Sequence, residues 1–225
     1  MILKSFQILI FLLSLQGALF AESLYKVDFS KAPDGNGKRW LKLSNFALQQ
    51  DAKEMKGLRM KGGKLIVATD AGFLGGMTLR RDIPGAKRVE VVWGVNQFPQ
   101  GANWDDGNKR EAVMLVVVFG KEMLDSSSWL LPQIPYFMGA FLGEKEKPGV
   151  WRKGKYYVKG GSYTCSPCNP KPGAMVTTSL ELPVNFKAQF RKTMPEVIGF
   201  GFEFDTRNTQ SGAEVMIQSV EFFDE

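Results

Sequence analysis

Strand-length apolar runs separated by turn residues predict an all-β protein, a jelly-roll-like β-sandwich with one short helix and a long aromatic insertion. Three observations carry this reading. About nine or ten such runs follow one another, each closed by Gly, Pro, Asn or Asp. Within several of them apolar side chains recur at every second position, as a half-buried strand requires. Only one segment has helical spacing: Asn185 stands as its N-cap, and Phe186 and Phe190 fall at i and i+4 on one face.

The runs can be taken in order. Leu24 to Phe29 is the first, and Pro33-Asp34-Gly35-Asn36-Gly37 breaks it. Arg39 to Leu43 reads as a second extended run. Lys64 to Thr69 is compact and β-branched, and Gly76 to Ile83 ends at Pro84-Gly85. Lys87 to Val95 sets Val89, Val91 and Trp93 on one face. Ala112 to Phe119 is almost wholly apolar, which predicts a strand covered on both faces. Met175 to Leu182 alternates again. Val197 to Phe204 places Ile198, Phe200, Phe202 and Phe204 on one side, and its interleaved Gly199 and Gly201 suit a strand that another element approaches closely. Glu214 to Phe223 is the last run. Residues 125–175 break this rhythm with prolines, glycines and many aromatics. Within them residues 129–163 form an insertion of the kind that carries function.

Ahead of these runs, Lys4, an apolar stretch from Phe6 to Leu15 and the Ala18-Leu19-Phe20-Ala21 junction have the layout of a secretory signal peptide. The apolar stretch is short against the roughly 20 residues of a membrane span. Residues 1–21 are therefore expected to be removed, leaving residues 22–225 as a single periplasmic or secreted domain. Removing Lys4 lowers the net charge from +6 to +5 (28 basic minus 23 acidic), which still favours anionic envelope polymers as partners, and export argues against nucleic acid.

The chain has no histidine. Ser-His-Asp and Cys-His nucleophiles, His-ligated zinc and His-ligated haem are excluded. Chemistry run by carboxylates alone, such as glycoside hydrolysis, survives. Cys165 and Cys168 are the sole cysteines, in a Cys-Ser-Pro-Cys sequence followed by Pro170 and Pro172 that oppose a helix. In an oxidising compartment this pair reads as a disulfide that tightens a loop.

Two segments resemble a known group. The first is Arg88-Val89-Glu90-Val91-Val92-Trp93-Gly94-Val95 with Gln97-Phe98-Pro99-Gln100-Gly101-Ala102, leading to Ala112–Phe119. The second is Ile198 to Thr209, ending Asp205-Thr206-Arg207-Asn208-Thr209, before the last run. Together they resemble the bacterial exported proteins grouped as domain-of-unknown-function family 3047. The likeness extends from Leu24 to the C-terminus, and Asn185-Phe186 with Gln189-Phe190 resembles that family's short helix. This chain departs from the family pattern at Arg207, where an acidic residue is usual, and at Met114, where an Arg is usual. The acidic pair ahead of that strand is displaced to Asp105-Asp106. The resemblance implies a jelly-roll sandwich related to galactose-binding-type folds and implies no activity.

Three clusters are candidates for a site. Trp104, Asp105, Asp106 and Asn108 share a loop between two strands, an aromatic face beside oxygen ligands as a sugar site uses. Trp151, Tyr156 and Tyr157 lie among Lys145, Lys147, Arg152, Lys153, Lys155 and Lys159, a pattern suited to an anionic glycan. Asp205, Asn208 and Thr209 form a polar turn that could hold structural Ca²⁺ or simply fix a chain reversal. Glu203 and Asp205 share a strand side and make a candidate carboxylate pair. The leading reading is a non-catalytic binding module for a carbohydrate or other envelope component. Its alternatives are a carboxylate-dependent glycan hydrolase and an assembly factor that contacts a protein through residues 129–142.

Overall fold

A computed structural model describes residues 21–126, 128 and 131–225. The expected signal segment apart from Ala21 lies outside these residues, as does Trp129.

The described residues form fourteen strands. They are β1 (Ser23–Asp28), β2 (Gly35–Asn36), β3 (Ala47–Gln50), β4 (Leu58–Lys61), β5 (Lys64–Ala68), β6 (Leu74–Ile83) and β7 (Arg88–Gln97). They continue with β8 (Glu111–Leu124), β9 (Ile134–Gly143), β10 (Trp151–Arg152), β11 (Gly161–Cys168), β12 (Met175–Glu181), β13 (Val197–Asp205) and β14 (Glu214–Phe223). Two helices, α1 (Gly37–Leu43) and α2 (Leu182–Phe190), join them.

The strands make two sheets packed face to face. The first has the order β12-β7-β14-β5-β4-β2. β5 pairs with Glu214–Ile217 of β14, and β1 pairs with the part of β14 beyond it. The second has the order β10-β11-β9-β8-β13-β6-β3. All pairings are antiparallel except β11 with β9. From β5 to β8 the chain changes sheet at each step, and it does so again from β13 to β14. Each crossing lets the apolar face of one strand meet that of the next across the core, which is the jelly-roll-like sandwich expected.

The alternation along β13 supplies one side of that core. Phe200, Phe202 and Phe204 point inward, with Phe200 5.2 Å from Phe222 and Phe202 6.3 Å from Trp93. Trp93 is fully buried, so its indole N–H needs a partner. It donates to Thr178 Oγ1 at 2.9 Å. Losing one such ring costs about 3–5 kcal/mol.

Three expectations are corrected. Arg39–Leu43 lies in a second helix, α1, because Asn36 Oδ1 accepts the Arg39 N–H and caps it, while Leu41 is buried and Trp40 packs 4.9 Å from Phe29. Asn185 does not cap α2. The helix begins at Leu182 with a proline in its first turn, and Asn185 Nδ2 donates back to the Glu181 carbonyl. Phe186 and Phe190 do share one face, 4.7 Å apart, and pack on Tyr136. Finally, the aromatic insertion is mostly not loop. β9, β10 and β11 extend the second sheet, because Ile134–Leu142 is apolar enough to be covered on both faces. Residues 134–142 of the expected protein-contact segment 129–142 form a strand paired on both edges, between β8 and β11.

Candidate functional site

The functional geometry lies on the outer face of the second sheet. Along β13 the side opposite the phenylalanines carries Gly199, Gly201 and Glu203, which register with Arg80, Thr78 and Gly76 of β6. The element that approaches these glycines is β6 itself. A Cβ on Gly201 would stand 2.5 Å from the Met77 carbonyl oxygen, and one on Gly199 2.8 Å from that of Leu79. No side chain fits there, and the face is left as a bare floor.

Side chains rise on both sides of that floor to enclose a groove of about 1330 Å³. Phe137, Tyr157 and Tyr163 supply aromatic edges on the β9–β11 side, and Gln49, Gln50 and Thr78 supply amides and a hydroxyl on the β3–β6 side. Glu203 closes one end, and Arg80 and Lys121 line the groove beyond Gly199.

The loop from β7 to β8 roofs the Glu203 end. Asn103 and Asn108 bridge it, and Gly107 takes the left-handed backbone (φ 92°) that the reversal needs. This turn drives Trp104 down onto the sheet. Its ring stacks 5.2 Å from Phe141 and lies 4.7 Å from Tyr163, and only 6% of the residue is exposed. The backbone N–H of Trp104 donates to Glu146 and its indole N–H to Glu111, at 3.0 and 2.9 Å. The expected open platform is thus a covered ring in a second small core with Met114, Phe141 and Cys165. Its indole N–H needed a buried acceptor, which β8 provides at its first residue.

Glu111 begins the electrostatic centre of this end. It is almost wholly buried and hydrogen-bonds Glu203. Desolvation first, then the charges of Glu203 and Asp205, raise the Glu111 pKa well above the usual carboxylate range. Burial, then Asp205, raises that of Glu203 to about 7. The pair therefore holds a proton where ordinary carboxylates have lost theirs. Burial, followed by the same two glutamates, also pushes the Tyr163 phenol up. Asp205 is neutralised by Arg207 and Arg110, at 2.7 and 3.3 Å.

The remaining expected residues separate into those that shape the loops and those at the groove. Asp105 accepts from Arg152 Nε at 2.7 Å and from the Lys147 N–H, and the guanidinium holds its pKa down to about 2. Asp106 accepts from Asn103, and Asn108 Nδ2 donates to the carbonyls of Gly101 and Asn208. Asp205 Oδ1 accepts the Arg207 N–H, and Thr209 Oγ1 donates to the Thr206 and Ser211 carbonyls, which closes the polar turn on itself. Trp151 packs against the main core, and Tyr156 is exposed beside Lys155. Of the expected set Tyr157 joins Glu203 in lining the groove, its hydroxyl donating to the Pro132 carbonyl. The basic run does not form one surface. Arg152 is buried on Asp105, while Lys153 donates to the Gly161 carbonyl and sits over Phe190. Cys165 and Cys168 form a disulfide beside the Trp104 ring.

A glycosidase pair stands roughly 5–10 Å apart across the bond it cleaves. Glu203 is instead hydrogen-bonded to Glu111, and Asp205 is clamped by two arginines. No group of three or more acidic or cysteine side chains suited to a metal occurs among the described residues. No helix among them is long and apolar enough to cross a membrane. Glu111, Glu146, Arg80 and Lys121 were not singled out from sequence. Only Glu111 carried a visible signal, a carboxylate heading a wholly apolar strand.

No family model matches the chain, and no curated protein matches it. Among solved structures it is similar to the carbohydrate recognition domain of Emp46p in its potassium-bound form, with 13% identity and a TM-score of 0.46, over 90% of this chain and 96% of that one. It is also similar to the K2 cleaved adhesin domain of Lys-gingipain, with 14% identity and a TM-score of 0.38, over 88% of this chain and 98% of that one.

Proposed function

We propose that this chain is an exported, non-catalytic carbohydrate-binding protein that holds an extended sugar chain in the groove on the outer face of the second sheet. One observation carries the reading: a glycine floor flanked by aromatic rings on one side and by amide and hydroxyl groups on the other. Sugar rings offer apolar C–H faces to aromatics and hydroxyls to amides, and the bare floor lets them lie against the sheet. The Glu203 carboxyl group, which lines one end, adds a hydrogen-bond acceptor for a sugar hydroxyl. Export rests on the layout of residues 1–21, and kinship with family 3047 belongs to the same proposal on the two segments quoted above.

The test is binding of residues 22–225 to a broad glycan array, repeated with Thr78→Trp. Thr78 is exposed in the groove opposite Gly201, so an indole there fills the groove without entering the core. Binding by the native chain should disappear in the variant while its melting temperature is retained. Glycan binding that survives Thr78→Trp would move the site elsewhere, and no glycan binding at all would remove the carbohydrate reading.

A further inference from the structure

The groove is charged differently at its two ends. Arg80 projects beside Gly199, and Lys121 lines the same end from β8. Both are exposed, and neither makes a hydrogen bond, ion pair or ring contact among the described residues. Several cations around the groove and its roof are, by contrast, engaged. Arg81 lies over the Tyr25 ring, Arg152 holds Asp105, Arg110 and Arg207 hold Asp205, and Lys192 pairs with Glu122. Asp82 shares the rim but pairs with neither cation. Between Gly199 and Glu203 the strand rises about 13 Å, enough for a short oligosaccharide to touch both ends.

We infer that the ligand is an acidic oligosaccharide whose anionic group is bound by Arg80 and Lys121 while neutral rings lie over Gly201 towards Tyr163. The inference rests on the carbohydrate reading above and assigns the ligand's charge and direction. A guanidinium and an ammonium that line one end of a groove from the two strands flanking β13 suit a carboxylate or sulfate, which each can bind by charge-assisted hydrogen bonds. The opposite end, with Glu203 beside Glu111 and Asp205, repels an anion as Glu203 ionises, so the acidic unit has one favoured place. The net charge of +5 on residues 22–225 (28 basic minus 23 acidic) adds long-range attraction for such a chain.

The experiment uses an array on which oligouronides are printed both as free acids and as methyl esters, and sulfated oligosaccharides beside their desulfated forms, with neutral oligosaccharides as reference. Ester formation and desulfation remove the charge and keep the backbone of the sugar. The native chain should prefer the charged member of a pair, and the member it prefers tells carboxylate from sulfate. The double variant Arg80→Gln, Lys121→Gln should lose that preference, with affinity for the charged form falling about tenfold or more. Affinity for neutral sugars should stay as it was. Equal binding of charged and neutralised members, or a preference that survives the double variant, overturns the inference and leaves the carbohydrate groove standing. Absence of binding to every sugar overturns both.

Discussion

The two ends of the groove use charge in opposite ways. At the Trp104 end every carboxylate is spoken for: Asp105 by Arg152, Asp205 by two arginines, Glu111 by the Trp104 indole and by Glu203. Glu111 and Asp205 are buried, and burying them without partners would cost several kcal/mol each. At the Arg80 end the cations are exposed and engaged with nothing in the described chain. Charge at the first end therefore holds a loop against the sheet, and charge at the second is free to meet a ligand. The difference teaches that density of polar residues in sequence is a poor guide to a site. The richest polar loop, residues 103–108, is spent on its own architecture.

The sharpest way to break this contrast is Trp104→Ala. It removes a ring packed on Phe141 and Tyr163 and leaves Glu111 without its indole donor, so a loss of about 3–5 kcal/mol in denaturant unfolding is expected. A loss under about 1 kcal/mol would show that the ring is an open platform after all.

Stability should also depend on pH in a way set by Glu203. Its folded pKa, about 7, lies above the ordinary 4.5, so the folded state holds a proton that the unfolded chain has released. Stability is then highest below pH 4.5 as far as this group is concerned, and falls as pH rises towards 7. Glu203→Gln, which resembles the protonated acid, should flatten that fall. Melting temperatures across the same pH window check it, and native stability that rises through the window would sink the shared-proton description. Asp105 acts with the opposite sign. Its depressed pKa contributes stability above pH 3.8 that is lost as pH falls towards 2, and Asp105→Asn should blunt the loss.

The smallest effect is expected at the other end. Arg80→Gln and Lys121→Gln should each change unfolding free energy by no more than about 0.5 kcal/mol, since each removes an exposed charge with no partner. A larger loss would mean that these side chains brace the fold, and the contrast between the ends would dissolve.

Much of the sandwich was legible from sequence because a strand writes its orientation locally. Val89, Val91 and Trp93, or Phe200, Phe202 and Phe204, alternate in the chain and so share a face in the sheet. The turn chemistry between runs was equally local. The β9–β11 segment was less legible: a strand covered on both faces loses its alternation, and the Pro- and Gly-rich neighbours of Ile134–Gly143 mimic a loop. Arg39–Leu43 was misread because its cap, Asn36, lies within a turn-like sequence, and the helix depends on Leu41 and Trp40 finding the core.

The candidate site was largely out of reach of sequence. Composition alone determined that histidine chemistry is impossible, and spacing alone determined that Cys165 and Cys168 were the only disulfide available. Which carboxylates meet was decided by the sheet. The β8–β13 register brings Glu111 beside Asp205, and the bulge between Glu203 and Asp205 gathers three acids separated by some ninety residues of chain at one end of the groove. Likewise only the β6–β13 register places Arg80 next to Gly199 and clears the floor between them. Alternation is a property of one strand and can be read along it. Register is a property of two strands, set by packing across the whole core, and no single segment contains it.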